Sequence, residues 1–310
     1  MKKSILFIFA IVLAGNVFSQ TMPHFSTYTL HPFQVNTAYM GSYLETKGSL
    51  VYKKQWAGFD GAPTINAFDI GIPIGKKKSV LGLDFVDDRI GVNVNQQASL
   101  NYGYKLELGK NRFLSFGLGL ALRMMRSNLA EVQTQQMGDP QFVANTPTFT
   151  SPNFKFGLYY YSKEFYAGFA IPNLVQNKIV GNSNYTYENV SIFQPNQSHY
   201  YLHSGIRKKI NDDFVIHPSF LVKYITGAPV QVDMNIDLTF NQLMGLGVSY
   251  RTLNTAVVLV HYRLNDYIQL AYGFNHNFSK LSIAGSNSHE IALLYTIGKK
   301  GRFGIDIPRF

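Results

Sequence analysis

The sequence predicts an all-β fold: a transmembrane outer-membrane β-barrel of about 14 antiparallel strands. Three observations carry this prediction. From residue 48 onward, apolar and polar residues alternate with period two in one stretch after another. The chain opens on an export signal, and after it no run of 18 apolar residues offers a membrane-spanning helix. Charged residues make up 15% of the chain, where a soluble domain averages roughly 25%, while Phe and Tyr are plentiful.

The composition also excludes functions. Among 310 residues, 28 Lys and Arg face 18 Asp and Glu, so the net charge of +10 reflects a shortage of acids more than a wealth of bases. Nucleic-acid binding asks for dense basic patches, which are missing. With no cysteine, disulfide scaffolds, thiolate zinc sites and thiol catalysis are excluded.

In chain order, residues 1–19 read as a signal peptide: Lys2 and Lys3, the apolar run Ile5–Ala14, then small residues up to a cut after Ser19. No cysteine sits at the mature start to carry a lipid anchor. Residues 20–47 are expected to form a periplasmic or lumenal N-terminal segment, residues 48–297 the barrel, and residues 298–310 a basic periplasmic tail. Strands are predicted near 48–56, 64–74, 80–87, 95–108, 112–125, 153–161, 165–172, 199–210, 214–224, 231–240, 243–251, 256–263, 267–275 and 289–297. Most have the 8–12 residues of a tilted strand crossing a bilayer. The alternation is clean in 97–108, where Ala98, Leu100, Tyr102, Tyr104, Leu106 and Leu108 share one face. Pro218 inside 214–224 predicts an edge, a bulge or locally weak pairing.

Connector lengths point the same way. Alternate connectors are tight, such as Gly109–Asn111 and Asn241–Gln242, whereas Ser127–Pro152 and Asn173–Ser198 run to 26 residues each. Short periplasmic turns and longer external loops are the rule for outer-membrane barrels. An even strand number places both mature termini in the periplasm. Tyr52, Trp56, Phe85, Tyr160, Tyr161, Phe165, Tyr224, Tyr250, Tyr262 and Tyr267 are expected in interfacial girdles.

One ordered set of residues is similar to a known family. It comprises Gln20–Tyr28, His31-Pro32, Asn36–Gly41, the element Gln55-Trp56-Ala57-Gly58-Phe59-Asp60-Gly61-Ala62-Pro63-Thr64, and Asp87–Gly91. The chain resembles the PorP/SprF family of type IX secretion system outer-membrane proteins from Bacteroidota, over essentially its whole mature length. It departs at His31, Thr37 and Lys53, where the family usually has Asn, Pro and Arg. The resemblance implies a component of the type IX secretion and gliding machinery. Its partners would be an exported adhesin C-terminal domain, the periplasmic ring lipoprotein and that lipoprotein's partner.

The residues themselves offer little catalytic chemistry, and neither an enzyme, a cofactor nor a metal is expected. His199 and His203 lie four apart on one strand, roughly 13 Å from each other, too far to share a metal; lumen-facing polar filling fits them better. Gly117-Leu118-Gly119 and Gly245-Leu246-Gly247 sit inside strands with no helix following, so they cradle no phosphate. Small inward residues there would let a loop or passenger segment approach the wall. The inward charges Lys105, Glu107, Arg123, Lys155, Arg207, Asp233, Asp237, Arg263 and Glu290 are of both signs. That mixture suggests internal salt bridges or a plugged lumen, with the N-terminal segment and the two longest loops as candidate plugs.

Candidate partner-binding residues are Gln55, Trp56, Phe59, Asp60, Gly61 and Pro63, the aromatic pair serving as apolar anchors. Candidate periplasmic docking residues are Lys76, Lys77, Lys78, Lys299, Lys300 and Arg302, which belong to a rim carrying twelve basic and five acidic side chains. That rim equally suits attraction to phospholipid headgroups. Two other functions remain open: an outer-membrane channel for hydrophobic small molecules, and a passive structural or adhesive barrel.

Overall fold

The computed structural model describes residues 23–75, 78–132, 142–181, 187–192, 198–225, 228–252, 254–278 and 287–298. Among them, fourteen antiparallel strands form a closed barrel. These are β1 Thr46–Lys54, β2 Thr64–Ile74, β3 Ser79–Ile90, β4 Asn93–Gly109, β5 Arg112–Ser127, β6 Phe149–Ser162, β7 Phe165–Ile171, β8 Tyr200–Ile206, β9 Phe214–Tyr224, β10 Gln231–Phe240, β11 Met244–Arg251, β12 Thr255–Arg263, β13 Ile268–Asn277 and β14 Asn287–Ile297. Each pairs with the next, and β1 closes on β14 from Thr46↔Ile297 to Lys54↔His289. Closure leaves no edge strand with unpaired backbone groups, a condition that hydrocarbon imposes strictly.

The period-two pattern is realised inside out. Leu100 and Leu118 expose 56% and 58% of their surface on the outer wall, while Ser99 and Asn101 are buried within. Leu270 also faces outward. A soluble sandwich would bury these leucines; a barrel in lipid turns them to the acyl chains. Tyr52, Phe85, Phe165, Tyr224, Tyr250, Tyr262 and Tyr267 all stand on the outer surface. Tyr161 does not: it is buried on the inner face, because neighbours on a strand point oppositely and Tyr160 takes the other side. Trp56 lies beyond the end of β1, in a turn at φ 49°.

Short turns predominate at one end, although the two-residue turn Gly91-Val92 lies at the other. Asn241 and Gln242 adopt left-handed conformations (φ 48° and 55°), and the Leu243 N–H returns to the Phe240 carbonyl, tying β10 to β11. The opposite end carries the longer connections. One of them holds an additional two-stranded hairpin, Gln176–Gly181 with Tyr187–Ile192, paired apart from the barrel sheet. Pro218 interrupts a ladder as its missing N–H requires: β8 and β9 pair from Tyr200↔Tyr224 to Gly205↔Ser219, and pairing resumes at Lys208↔Ile216.

The lumen is occupied. Pro23–Leu44 run through it from the long-loop mouth to the short-turn mouth, where β1 begins. They form three short 3-10 turns, Thr27–Thr29, Pro32–Gln34 and Thr37–Ser42. The Asn36 side chain caps the third by accepting from the Ala38 N–H at 3.0 Å, and its amide donates to the Leu158 carbonyl at 2.9 Å. Near the short-turn mouth, Phe33, Tyr39, Met40 and Tyr43 pack with Phe113, Tyr159, Tyr161 and Tyr166 into one buried cluster. Tyr39 meets Tyr159 edge-on at 5.4 Å. The inner wall is cut to fit: a Cβ at Gly117 would overlap the Ala38 backbone nitrogen, and Ser115 donates to the Ala38 carbonyl at 2.7 Å.

Pro23 borders a cavity at the long-loop mouth, whereas β14 ends at the opposite one.

Candidate functional site

The site begins with how the start of the lumenal segment is held. Glu290, fully buried on β14, accepts from the Ser26 N–H (2.9 and 2.8 Å), the Thr27 N–H (2.8 Å) and the Thr27 hydroxyl (2.7 Å). Lys53 of β1 approaches the same carboxylate at 3.6 Å and donates to the His24 carbonyl. Across the lumen, Asp233 of β10 lies 2.9 Å from His24 Nε2 and 3.4 Å from Arg251 Nε of β11. Arg251 also donates to the Ser26 hydroxyl (3.1 Å) and to Asn275 of β13 (3.2 Å).

Lys223 of β9 donates to His24 Nδ1, which leaves that ring neutral with its proton on Nε2. Burial, reinforced by the Arg251 and Lys223 charges, pushes the His24 pKa well below 6.5. The Ser26 hydroxyl also donates to Asn275 of β13 at 2.7 Å. Six strands thus clamp three residues of the segment through groups that would be costly to bury unpaired. Deeper down, His31 Nε2 contacts Asp69 at 2.6 Å, and Asn36 donates to His203 at 3.0 Å. His199 and His203 are both buried on the inner face.

Directly above the clamp is a cavity of about 410 Å3 at the long-loop mouth. Pro23 and His24 form its floor, Lys53, Lys223 and Arg251 its wall, and Gln55, Trp56 and Pro63 its roof. The roof is anchored on both sides. The Ala57 N–H donates to the Asn287 carbonyl at 2.8 Å, the Trp56 N–H to the Ser288 hydroxyl at 3.2 Å, and the Gly91 N–H to the Gly61 carbonyl at 2.9 Å. Two buried polar atoms of lining residues, Asp88 Oδ1 and Asn275 Nδ2, have no hydrogen-bond partner among the described residues. The cavity thus sets the Trp56 indole beside charged and polar side chains, among them Lys53, Lys223, Arg251 and Asp88.

Of the sequence-predicted partner-binding residues, Gln55, Trp56 and Pro63 come together at this cavity. Phe59, Asp60 and Gly61 stand on the outer surface of the same loop, with Phe59 54% exposed. Of the predicted docking residues, Lys78 is exposed at the short-turn end; Lys76, Lys77, Lys299, Lys300 and Arg302 lie outside the described residues. Lys53, Lys223, Arg251 and His24 were missed by sequence reasoning. An inward charge on an alternating strand asks for a counter-charge, and that signal was available for Arg251 and Lys223.

Solved structures similar to this chain are membrane barrels. A Pseudomonas aeruginosa FadL homologue aligns over 92% of this chain and 96% of its own at 12% identity, with a TM-score of 0.48. The Ralstonia pickettii toluene transporter TbuX aligns over 94% and 97% at 9% identity, with a TM-score of 0.49. BamA from Haemophilus ducreyi aligns over 81% and 70% at 8% identity, with a TM-score of 0.43. No curated relative matches the chain. The family model described as type IX secretion system membrane protein PorP/SprF matches residues 17–295. With its closed outer-membrane barrel and that match over nearly its whole length, the chain belongs to the PorP/SprF family of type IX secretion system membrane proteins.

Proposed function

We propose that the protein is a non-enzymatic outer-membrane component of the type IX secretion and gliding machinery that holds an exported adhesin C-terminal domain at its long-loop mouth. In this reading the long connections face the outside and the short turns the periplasm, following the asymmetry of outer-membrane barrels. The carrying observation is the 410 Å3 cavity roofed by Gln55, Trp56 and Pro63 above a lumen already filled by its own chain. A filled barrel with a shaped mouth suits holding a partner better than passing one. The exposed ring of Phe59 extends the contact surface beyond the cavity.

Cross-linking and pull-down from outer membranes tests this. Replacing Trp56 and Phe59 together by Ala should cut recovery of the exported domain by at least about tenfold, with barrel abundance unchanged. Equal recovery would overturn it. Coupling to the periplasmic ring is assigned to the basic rim containing Lys76–Lys78, Lys299, Lys300 and Arg302. Charge reversal there should release ring proteins without unfolding the barrel, and unchanged co-purification would count against docking.

The alternative, a channel for hydrophobic small molecules, draws on a cavity of about 90 Å3 lined partly by Phe25, Phe33 and Val35. Asp69, Asp84, Arg123 and Lys155 line it too, with Lys155 and Asp84 paired at 2.6 Å, which makes it a poor apolar path. A fatty-acid or hydrocarbon uptake defect on deletion, with no loss of surface adhesin, would favour the channel.

A further inference from the structure

Across β7 to β11 the outer wall is hollowed by a groove of about 640 Å3. Ile206, Phe220, Ile236 and Tyr250 stand along it, between 40% and 51% exposed. The hollow follows from one residue. β8 and β9 pair as far as Gly205↔Ser219 and again from Lys208↔Ile216, because Pro218 has no N–H to donate between them. Over that gap the outward side chains are small: Pro218, and Ser204, whose hydroxyl donates to the Tyr166 carbonyl at 2.7 Å. Taller ones rise beside them in two cross-strand rows, one of Phe220, Met234 and Tyr250 and the other of Ile236 and Val248. At roughly 4.8 Å per strand, the groove crosses about 19 Å of wall. Its Phe165 end adjoins a short turn, whereas Tyr250 lies eight residues from the turn at Asn241 and Gln242. With strands tilted about 40°, it climbs from the short-turn rim toward mid-membrane, the depth of one leaflet.

In a hydrocarbon layer an unfilled apolar hollow forfeits dispersion contacts along its whole lining. Headgroup chemistry stands at its short-turn end. Lys208 is exposed two positions beyond Ile206 on the same outward face, and Lys163 just precedes Phe165. Lys209 is held by Asp212 at 2.6 Å, whereas Lys163 and Lys208 form no ion pair among the described residues. Two ammonium groups suit a phosphodiester, and the exposed acids Glu164 and Asp213 on the same rim suit an amine. We propose that the groove is a binding site for one zwitterionic phospholipid, with an acyl chain lying along it and the phosphate at Lys163 and Lys208. The site goes beyond the adhesin-holding role and rests on the membrane barrel alone.

The test follows the full-length chain in detergent by native mass spectrometry, with dioleoyl phosphatidylethanolamine titrated in. The barrel should keep one lipid at detergent levels that strip the rest. Filling the groove by Ser204→Phe or Val248→Trp should weaken that lipid at least about tenfold, and Lys163→Gln with Lys208→Gln at least about threefold. Leu100→Phe, on the outer face of β4, should leave it within about twofold. No lipid retained by the intact barrel, or affinity unchanged in the filled variants or in the lysine pair, would overturn the site, leaving an ordinary boundary of exchanging lipid. Should Ser204→Phe fail to fold, Val248→Trp keeps the bond from Ser204 to Tyr166 and carries the test. A lipid-free dimer of the intact barrel that the same fillings dissolve would put a second copy of this chain in the groove and likewise overturn the lipid.

Discussion

Glu290 concentrates the attachment of the lumenal segment in one side chain. It accepts four hydrogen bonds from Ser26 and Thr27 and faces Lys53, all without contact with water. Removing one partner of such a buried group costs about 3–5 kcal/mol. Glu290→Gln should therefore lower the temperature at which the purified barrel loses its heat-modifiable gel mobility, and expose the N-terminal segment to protease; a mobility transition at the wild-type temperature would contradict this. His24 adds a dependence on pH. Released into water, its ring titrates near 6.5; docked among Lys223, Arg251, Lys53 and Asp233, its pKa is pushed well below that. Between the two values the released segment binds more protons than the docked one, so docking weakens as pH falls below about 6.5 and is strongest above it. Protease protection of the segment should decline in that direction, and His24→Gln should remove the decline. None of these partnerships was legible locally, because Ser26 and Glu290 are 264 residues apart and only barrel closure brings them together.

At the scale of elements, strands were readable and the segment between them was not. Period two survives in a lipid-facing wall because each strand has one face in hydrocarbon and one in the lumen, which is why the shared face of Leu100, Tyr102 and Tyr104 could be read from the sequence and stands exposed on the wall. The segment 23–44 has no period to read: its 3-10 turns take their shape from the wall around them. The hairpin at 176–181 and 187–192 was missed because its strands are six residues each and carry no sustained alternation. Tyr161 was misplaced because aromatic content was counted without parity. The fit between segment and wall makes its own prediction. Gly117→Val should displace Thr37 and Ala38 at a cost of about 1–3 kcal/mol. Limited proteolysis should then cut near them while the barrel keeps its folded mobility, and an uncut segment would show that the wall yields instead.

For the whole molecule, the barrel and its polar lining describe a closed conduit rather than an open pore. Deleting residues 23–44 should raise single-channel conductance in planar bilayers several-fold over the intact chain, since a fourteen-strand ring without its filling encloses water; equal conductance would mean that other residues seal the lumen. Closure itself joins Thr46 to Ile297, the first strand to the last, so the pairing of longest sequence separation completes the ring. The segment that fills the lumen belongs to the first strand, yet every wall it touches comes later in the chain. The expectation for biogenesis is that the unfinished sheet curls around its own leading end, with that segment serving as a mandrel. A bulky domain fused ahead of Pro23 should stall assembly at an unclosed intermediate, while the same domain placed in the 128–148 connection should not.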